Sequence, residues 1–228
     1  ARVGDQTVSY SLGVHGGITV ALVQCSEMGS STPGASYETT KECIAIWSPT
    51  WVVAVGICFG FGRKGQRLAD VVVSDAIQPY ENLRIGASAP DLGAIQDRNR
   101  RHPAARSLVT RLSSRPLVTD RRVSVGIVVS GDKLVDNIEF RNTLGGLYPR
   151  AVAGEMEGVG IAQAAEAAKL DWVLVKAVCD WADGRKGIKK RAKQKAAASA
   201  SASLVALAVR MRLLAAAGPS RDVGRASR

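Results

Sequence analysis

Apolar, β-branched runs recur along the chain at WVVAVGICF (51–59), ADVVVSDAI (69–77), VSVGIVVS (123–130) and WVLVKAV (172–178). The first is continuous rather than alternating, so it reads as a strand buried on both faces, and the second is of the same kind. Such strands belong to parallel or mixed sheets covered by helices. Helical stretches fall between them: GASYETTKECIAIW (34–47), stopped by Ser48 and Pro49, NIEFRNTLGG (137–146), ended by glycines, and EGVGIAQAAEAAK (157–169). RAVAGEM (150–156) adds a short strand, and TVSYSLGV (7–14) with ITVALVQ (18–24) forms a predicted hairpin across HGG. A long Ala-rich helix over about 190–217 closes the pattern, because alanine is the strongest helix former. The predicted fold class is α/β, three-layer, with a mixed, mostly parallel sheet flanked by helices. Ligands of such sheets sit beyond the carboxyl ends of strands, which makes the strand ends the places to search.

The 228 residues suit one large domain, taken as 1–217, followed by the polar tail GPSRDVGRASR (218–228). No apolar stretch reaches the roughly 18–20 residues that a membrane-spanning helix needs. Cys25, Cys43, Cys58 and Cys179 sit singly, without metal-ligand or disulfide-framework spacing. They are expected to be buried free thiols of a cytoplasmic protein, and no metal or organic cofactor is implied. The net charge of +11, from 31 basic and 20 acidic residues, favours an anionic partner: nucleic acid, a phosphorylated small molecule or an acidic protein. Many of these charges lie in 98–122 and 185–195, with few aromatics among them, which argues against a nucleic-acid platform built on base stacking. The Arg-, Ser- and Pro-rich middle is predicted to be peripheral, with a weak helical pattern around 104–112. The opening ARVGDQTVSY resembles neither a natural start nor a signal peptide, so a longer parent chain is expected.

Three stretches carry candidate chemistry. GFGRKG places Gly60, Gly62 and Gly65 in a G-x-G-x-x-G pattern after a strand. Only a few residues separate Gly65 from the next strand, leaving no helix to hold a pyrophosphate, so a dinucleotide site is excluded. A tight loop remains, either simple turn chemistry or backbone amides that approach a ligand. In AGEMEGVGIAQ (153–163), Glu155 and Glu157 flank Met156 at a strand-to-helix junction. Residues two apart point the same way in a strand and diverge in a helix, so only one need face a site. Carboxylates there also complement the helix dipole. In KAVCDWADGRK (176–186), Asp180 lies just past a buried strand, where an ionised carboxylate is costly unless paired. That suits a general acid, and a turn cap fits the same position. Asp183 belongs to a DG turn pair.

Taken together, VGICFG…ADVVVS (55–74), VSGDKLV (129–135), GEMEGVGIAQAA (154–165) and VKAVCDWAD (175–183) resemble the purine nucleoside phosphorylase and methylthioadenosine/S-adenosylhomocysteine nucleosidase superfamily in order and spacing. The resemblance covers about residues 7–210. It implies a nucleoside phosphorylase-like fold and cleavage of the bond between a purine and C1′ of ribose, by water in nucleosidases and by phosphate in phosphorylases. Their oxocarbenium-like transition state requires a protonated leaving base and a stabilised sugar cation. The resemblance assigns Asp180 to purine N7 as the acid, and Glu157 to the ribose hydroxyls beside Met156 and Glu155. It assigns the backbone of Val135 to the purine edge, Leu134 to the position where nucleosidases stack an aromatic, and Gly56, Cys58 and Gly60 to the nucleophile side.

The family's first strand, with the residues that activate water or bind phosphate, is expected to precede residue 7. An incomplete site is therefore expected, which leaves a noncatalytic nucleoside-sensing module as an alternative. VGICFGFGRKGQRLADVVVS (55–74) and QPYENLRIG (78–86) resemble the branch fused to bacterial signalling and antiphage modules, some of which attack adenine nucleotides including ATP. Arg84 and Lys186 would suit a phosphorylated substrate. The partners implied are a purine nucleoside or nucleotide, phosphate in the phosphorolytic case, a fused upstream domain and further copies in a homo-oligomer.

Overall fold

The computed structural model describes residues 1–4, 7–63, 65–85, 95–114, 121–187 and 189–215. The predicted polar tail and parts of the basic middle segment lie outside the described residues.

The chain opens with a three-stranded antiparallel sheet of β1 (Arg2–Val3), β2 (Val8–His15) and β3 (Ile18–Val23). Gly16 and Gly17 join the predicted hairpin with φ of 58° and 83°, the positive values that a tight two-residue turn requires. Then come α1 (Ser36–Trp47), β4 (Trp51–Gly60), β5 (Val71–Pro79), β6 (Leu83–Ile85), β7 (Ile95–Asp97), β8 (His102–Pro103) and α2 (Arg106–Leu112). The order ends with β9 (Val123–Ser130), α3 (Ile138–Leu147), β10 (Ala151–Glu155), α4 (Gly158–Ala167), β11 (Asp171–Asp180) and α5 (Lys190–Arg210).

The main sheet has the order β11-β4-β10-β9-β5-β8. β5, β9 and β10 run parallel to one another, and β11 runs parallel to β4. Short antiparallel seams join β10 to β4 and β11 to β5, so the mixed sheet closes on itself. This matches the predicted mixed, mostly parallel α/β architecture and adds a closure that the apolar runs did not reveal.

Burial on both faces explains the continuous runs of β5 and β11, whereas β4, expected to be buried on both faces, leaves Val55 44% exposed. Along β11, Val173, Val175 and Ala177 pack with Leu108 and Leu112 of α2 and Leu204 and Ala208 of α5. Trp172, Leu174 and Val178 point the other way, against Ile161, Ala162 and Ala165 of α4. Helix α4 approaches α1 at Gly160, where a Cβ would stand 2.7 Å from the Tyr37 backbone nitrogen. A third cluster seats α3 against β9 through Leu144, Val129 and Val135.

Helix α5 stops at Arg210 rather than about 217. Arg212 adopts φ of 60°. Its N–H bonds the Val209 carbonyl, and the Leu213 N–H bonds that of Ala208, both at 2.9 Å, which folds buried Leu214 into the core. This is a Schellman stop built without glycine. Among the described residues, no helix is long and apolar enough to cross a membrane, and all four cysteines are free thiols.

Candidate active site

The strand β10 delivers Glu155 to the start of α4, and the carboxylate turns back to cap it. It accepts the Glu157 N–H at 2.9 Å and the Gly158 N–H at 3.0 Å, satisfying donors that a helix start leaves open. Ser130, at the end of β9, accepts the Val159 N–H at 3.2 Å. From β11, Lys176 crosses to this junction with its Nζ 3.1 Å from Glu155 and 2.8 Å from Glu157. Room for it comes from the paired position on β4: a Cβ at Gly56 would stand 3.2 Å from Lys176 Cδ.

Lys176 and Glu155 are sealed from solvent, with side chains 6% and 1% exposed, whereas Glu157 is 24% exposed. Burial alone would discharge the buried pair. For Glu155, burial raises the pKa, but the Lys176 ammonium, the Ser130 hydroxyl and the two backbone N–H groups together hold it below the usual carboxylate value. For Lys176, burial lowers the pKa, and the two glutamates more than reverse it, so the ammonium is held above its usual value. One lysine between two glutamates leaves the cluster with a net negative charge, and Glu157 is its open end.

Asp180 is set by a bulge. In the ladder between β11 and β4, Val178 faces Cys58 and Asp180 faces Phe59, so Cys179 is extra and the strand end is re-aimed. Asp180 Oδ1 accepts the Ala182 N–H and Oδ2 accepts the Cys179 thiol, each at 2.9 Å. The Lys186 Nζ stands 3.6 Å from Oδ2 and donates to the Val135 carbonyl at 3.4 Å. The turn-cap and site readings of Asp180 are therefore compatible: Oδ1 caps the turn while Oδ2 meets a cation. Burial, then the neighbouring carboxylate, pushes the Cys179 thiol up to about 12. Cys58 is pushed well up, first by burial and then by Cys179, with Glu155 and Asp180 adding to the rise and the Lys176 ammonium opposing it. On β4 that buried thiol pairs with Val178, two residues along from Gly56, the partner of Lys176.

The model of the phosphorylase superfamily matches residues 2–210. The chain belongs to the phosphorylase superfamily. Over 168 residues it is 34% identical to a death domain-containing ATP nucleosidase of Amphimedon queenslandica, a match covering 65% of this chain and 32% of the sponge protein. This superfamily chain thus aligns with about a third of that relative. It is 30% identical over 170 residues to a 5′-methylthioadenosine/S-adenosylhomocysteine nucleosidase of Staphylococcus aureus, covering 75% of this chain and 73% of that one. Among solved structures, the Neisseria meningitidis nucleosidase in complex with methylthio-immucillin-A shares the fold with a TM-score of 0.72 at 23% identity, covering 91% and 90% of the two chains.

In this phosphorylase-superfamily fold the other sequence candidates divide. Met156 is half-buried between the two glutamates. Val135 is buried with its carbonyl on Lys186, while Leu134 is 57% exposed beside it. Gly60 lies under Trp181: a Cβ there would stand 2.6 Å from the indole, so that ring covers the end of β4. Gly62 and Gly65, both at positive φ, lie between β4 and β5, and among the described residues no helix intervenes, as the spacing predicted. Arg84 is exposed on β6, paired with Gln96 in a two-stranded ladder, and none of the described contacts joins it to the glutamate cluster. Among the described residues, no group of three or more His, Cys, Asp or Glu gathers to hold a metal.

Lys176 is the site residue that sequence reasoning missed. Its signal is a lone lysine in the middle of WVLVKAV, where an unpaired ammonium would be intolerable and two acidic partners must be supplied from elsewhere. Cys179 was masked in the same way, as an apolar-looking neighbour of Asp180.

Proposed function

We propose that this chain hydrolyses the N-glycosidic bond between adenine and ribose in a purine nucleoside or nucleotide. The observation that carries this reading is that one strand, β11, supplies both Lys176, whose ion cluster has Glu157 as its open member, and, at its carboxyl end, a second carboxylate, Asp180. Departure of the base needs a proton at N7, which Asp180 supplies as the C1′–N9 electrons move into the ring. The sugar cation needs a negative partner, and Glu157 meets that need while accepting hydrogen bonds from the ribose hydroxyls. Lys176 holds Glu157 in place and is itself fixed by Glu155. The Val135 backbone reads the purine edge with Leu134 beside it, Met156 packs near the sugar, and Cys58 and Gly60 line the nucleophile side. Water adds at C1′ and its proton passes to solvent, from which Asp180 takes up a proton before the next turnover.

The names of the similar nucleosidases support hydrolysis, and the ATP nucleosidase among them supports a nucleotide as substrate. In that case Arg84 and the net charge of +11 favour the phosphates. The same reading extends to a homo-oligomer, which sedimentation velocity would detect.

The test is adenine release from methylthioadenosine, adenosine, AMP and ATP, each with and without inorganic phosphate. Release that ignores phosphate is the expected result. Formation of a sugar 1-phosphate only when phosphate is present would establish phosphorolysis instead. Saturable nucleoside binding with no base released would favour the noncatalytic sensing alternative.

A further inference from the structure

Lys186 bridges the two groups that the proposed function gives to the purine. Its ammonium donates to the Val135 carbonyl at 3.4 Å and stands 3.6 Å from Asp180 Oδ2, with the side chain only 15% exposed. The loop that carries it is tied down on the same side. The Gly184 N–H bonds Asp136, the neighbour of Val135, at 3.0 Å, and the Arg185 N–H bonds Asp183 at 3.2 Å. Gly184 takes φ of 79°, the backbone state that allows this turn. A cation is thus built into the base edge, between an acceptor meant for the six-membered ring and the acid meant for N7.

The two classes of purine respond to it in opposite ways. A 6-amino group is a donor: it suits the Val135 carbonyl directly and competes with Lys186 for it. A 6-oxo group is an acceptor, and against the bare Val135 carbonyl, with the Asp180 proton committed to N7, it would be left unpaired, which a site shielded from water strongly disfavours. With Lys186 present it gains a charged donor beside N7.

We propose that Lys186 determines base specificity, donating to O6 so that the site accepts 6-oxopurines such as hypoxanthine as well as adenine. The proposal rests on the assignment of Asp180 and Val135 to the base.

The experiment is titration calorimetry of adenine and of hypoxanthine with the full 228-residue chain, as wild type, Lys186→Met and Lys186→Arg. Wild type is expected to bind both bases. Lys186→Met is expected to lower the hypoxanthine-to-adenine affinity ratio at least tenfold, about the least that loss of a charged hydrogen bond costs. Lys186→Arg, which keeps a donor, is expected to restore most of the ratio. Because the ratio is taken within each variant, a fraction of misfolded protein lowers both titrations alike and leaves it unchanged. An unaltered ratio in Lys186→Met, or wild type that binds adenine alone, overturns the proposal and leaves the base site standing. If neither base binds, the assignment of Asp180 and Val135 falls, and the role of Lys186 with it.

Discussion

Lys176 and Glu157 meet at 2.8 Å, joining the middle of β11 to the N-cap residue of α4. Through this contact a buried strand and a helix start share one ion cluster. Removing the lysine leaves Glu155 buried without its counter-charge. Lys176→Met is therefore expected to destabilise the fold by about 3–5 kcal/mol. The double variant Lys176→Met/Glu155→Gln should recover part of that loss. Chemical denaturation of the three proteins checks both statements.

The same pair gives stability a defined pH window. The Glu155 carboxyl is held below its ordinary value of 4.5, so its contribution is present above that pH and lost as pH falls toward the lower folded value. The Lys176 ammonium is held above its ordinary value of 10.5, so its contribution is complete below that pH and lost as pH rises through the folded value. Melting temperature should form a plateau between these limits and fall outside them. Glu155→Gln should shrink the acid-side fall when melting is followed across pH.

These two residues also mark how much of the molecule was legible in advance. The strands were readable because β5 and β11 bury both faces, which leaves continuous apolar runs in the sequence, although the equally continuous run of β4 leaves Val55 exposed. Asp180 and Glu157 were readable as candidates because they follow such runs at strand ends. The closure of β11 onto β5 was not, since an apolar run does not say which strand it pairs with. Lys176 was hidden for a related reason: its glutamate partners lie in another segment, and only the fold brings them together. Helix α5 was drawn too long because its stop places Arg212, not glycine, in the left-handed position. Lys186 read as a phosphate contact from its charge, whereas the loop turns it inward to Val135 and Asp180.

Gly56 is expected to be needed for the position of Lys176. A Cβ there would stand 3.1 Å from the ammonium and 3.2 Å from Cδ, closer than the lysine can tolerate without shifting. Gly56→Ala should cost about 1–3 kcal/mol of stability, as overpacking of a buried site usually does. It should also lower nucleosidase turnover more than nucleoside affinity. Denaturation and steady-state kinetics together separate the two effects.

Thiol reactivity should report the packing around Asp180. Cys58 and Cys179 are both buried, and burial pushes both thiols upward, Cys179 to about 12. Cys25 and Cys43 are half-buried, and burial raises these thiols too, Cys43 to about 11, so access rather than thiolate character sets the order. At neutral pH a small alkylating reagent should label Cys25 and Cys43 first and reach Cys58 and Cys179 only after denaturation. Peptide mass spectrometry over a time course reads the order directly.

The role of Asp180 is the point on which the proposed function turns. Adenine release should be compared between the wild-type chain and Asp180→Asn, with equal folding checked by circular dichroism, on whichever of methylthioadenosine or ATP the wild type cleaves. Wild type is expected to release adenine, and Asp180→Asn to do so about 10²–10⁴-fold more slowly, the usual cost of losing a positioned general acid. Release of adenine by Asp180→Asn at the wild-type rate would contradict the proposed mechanism.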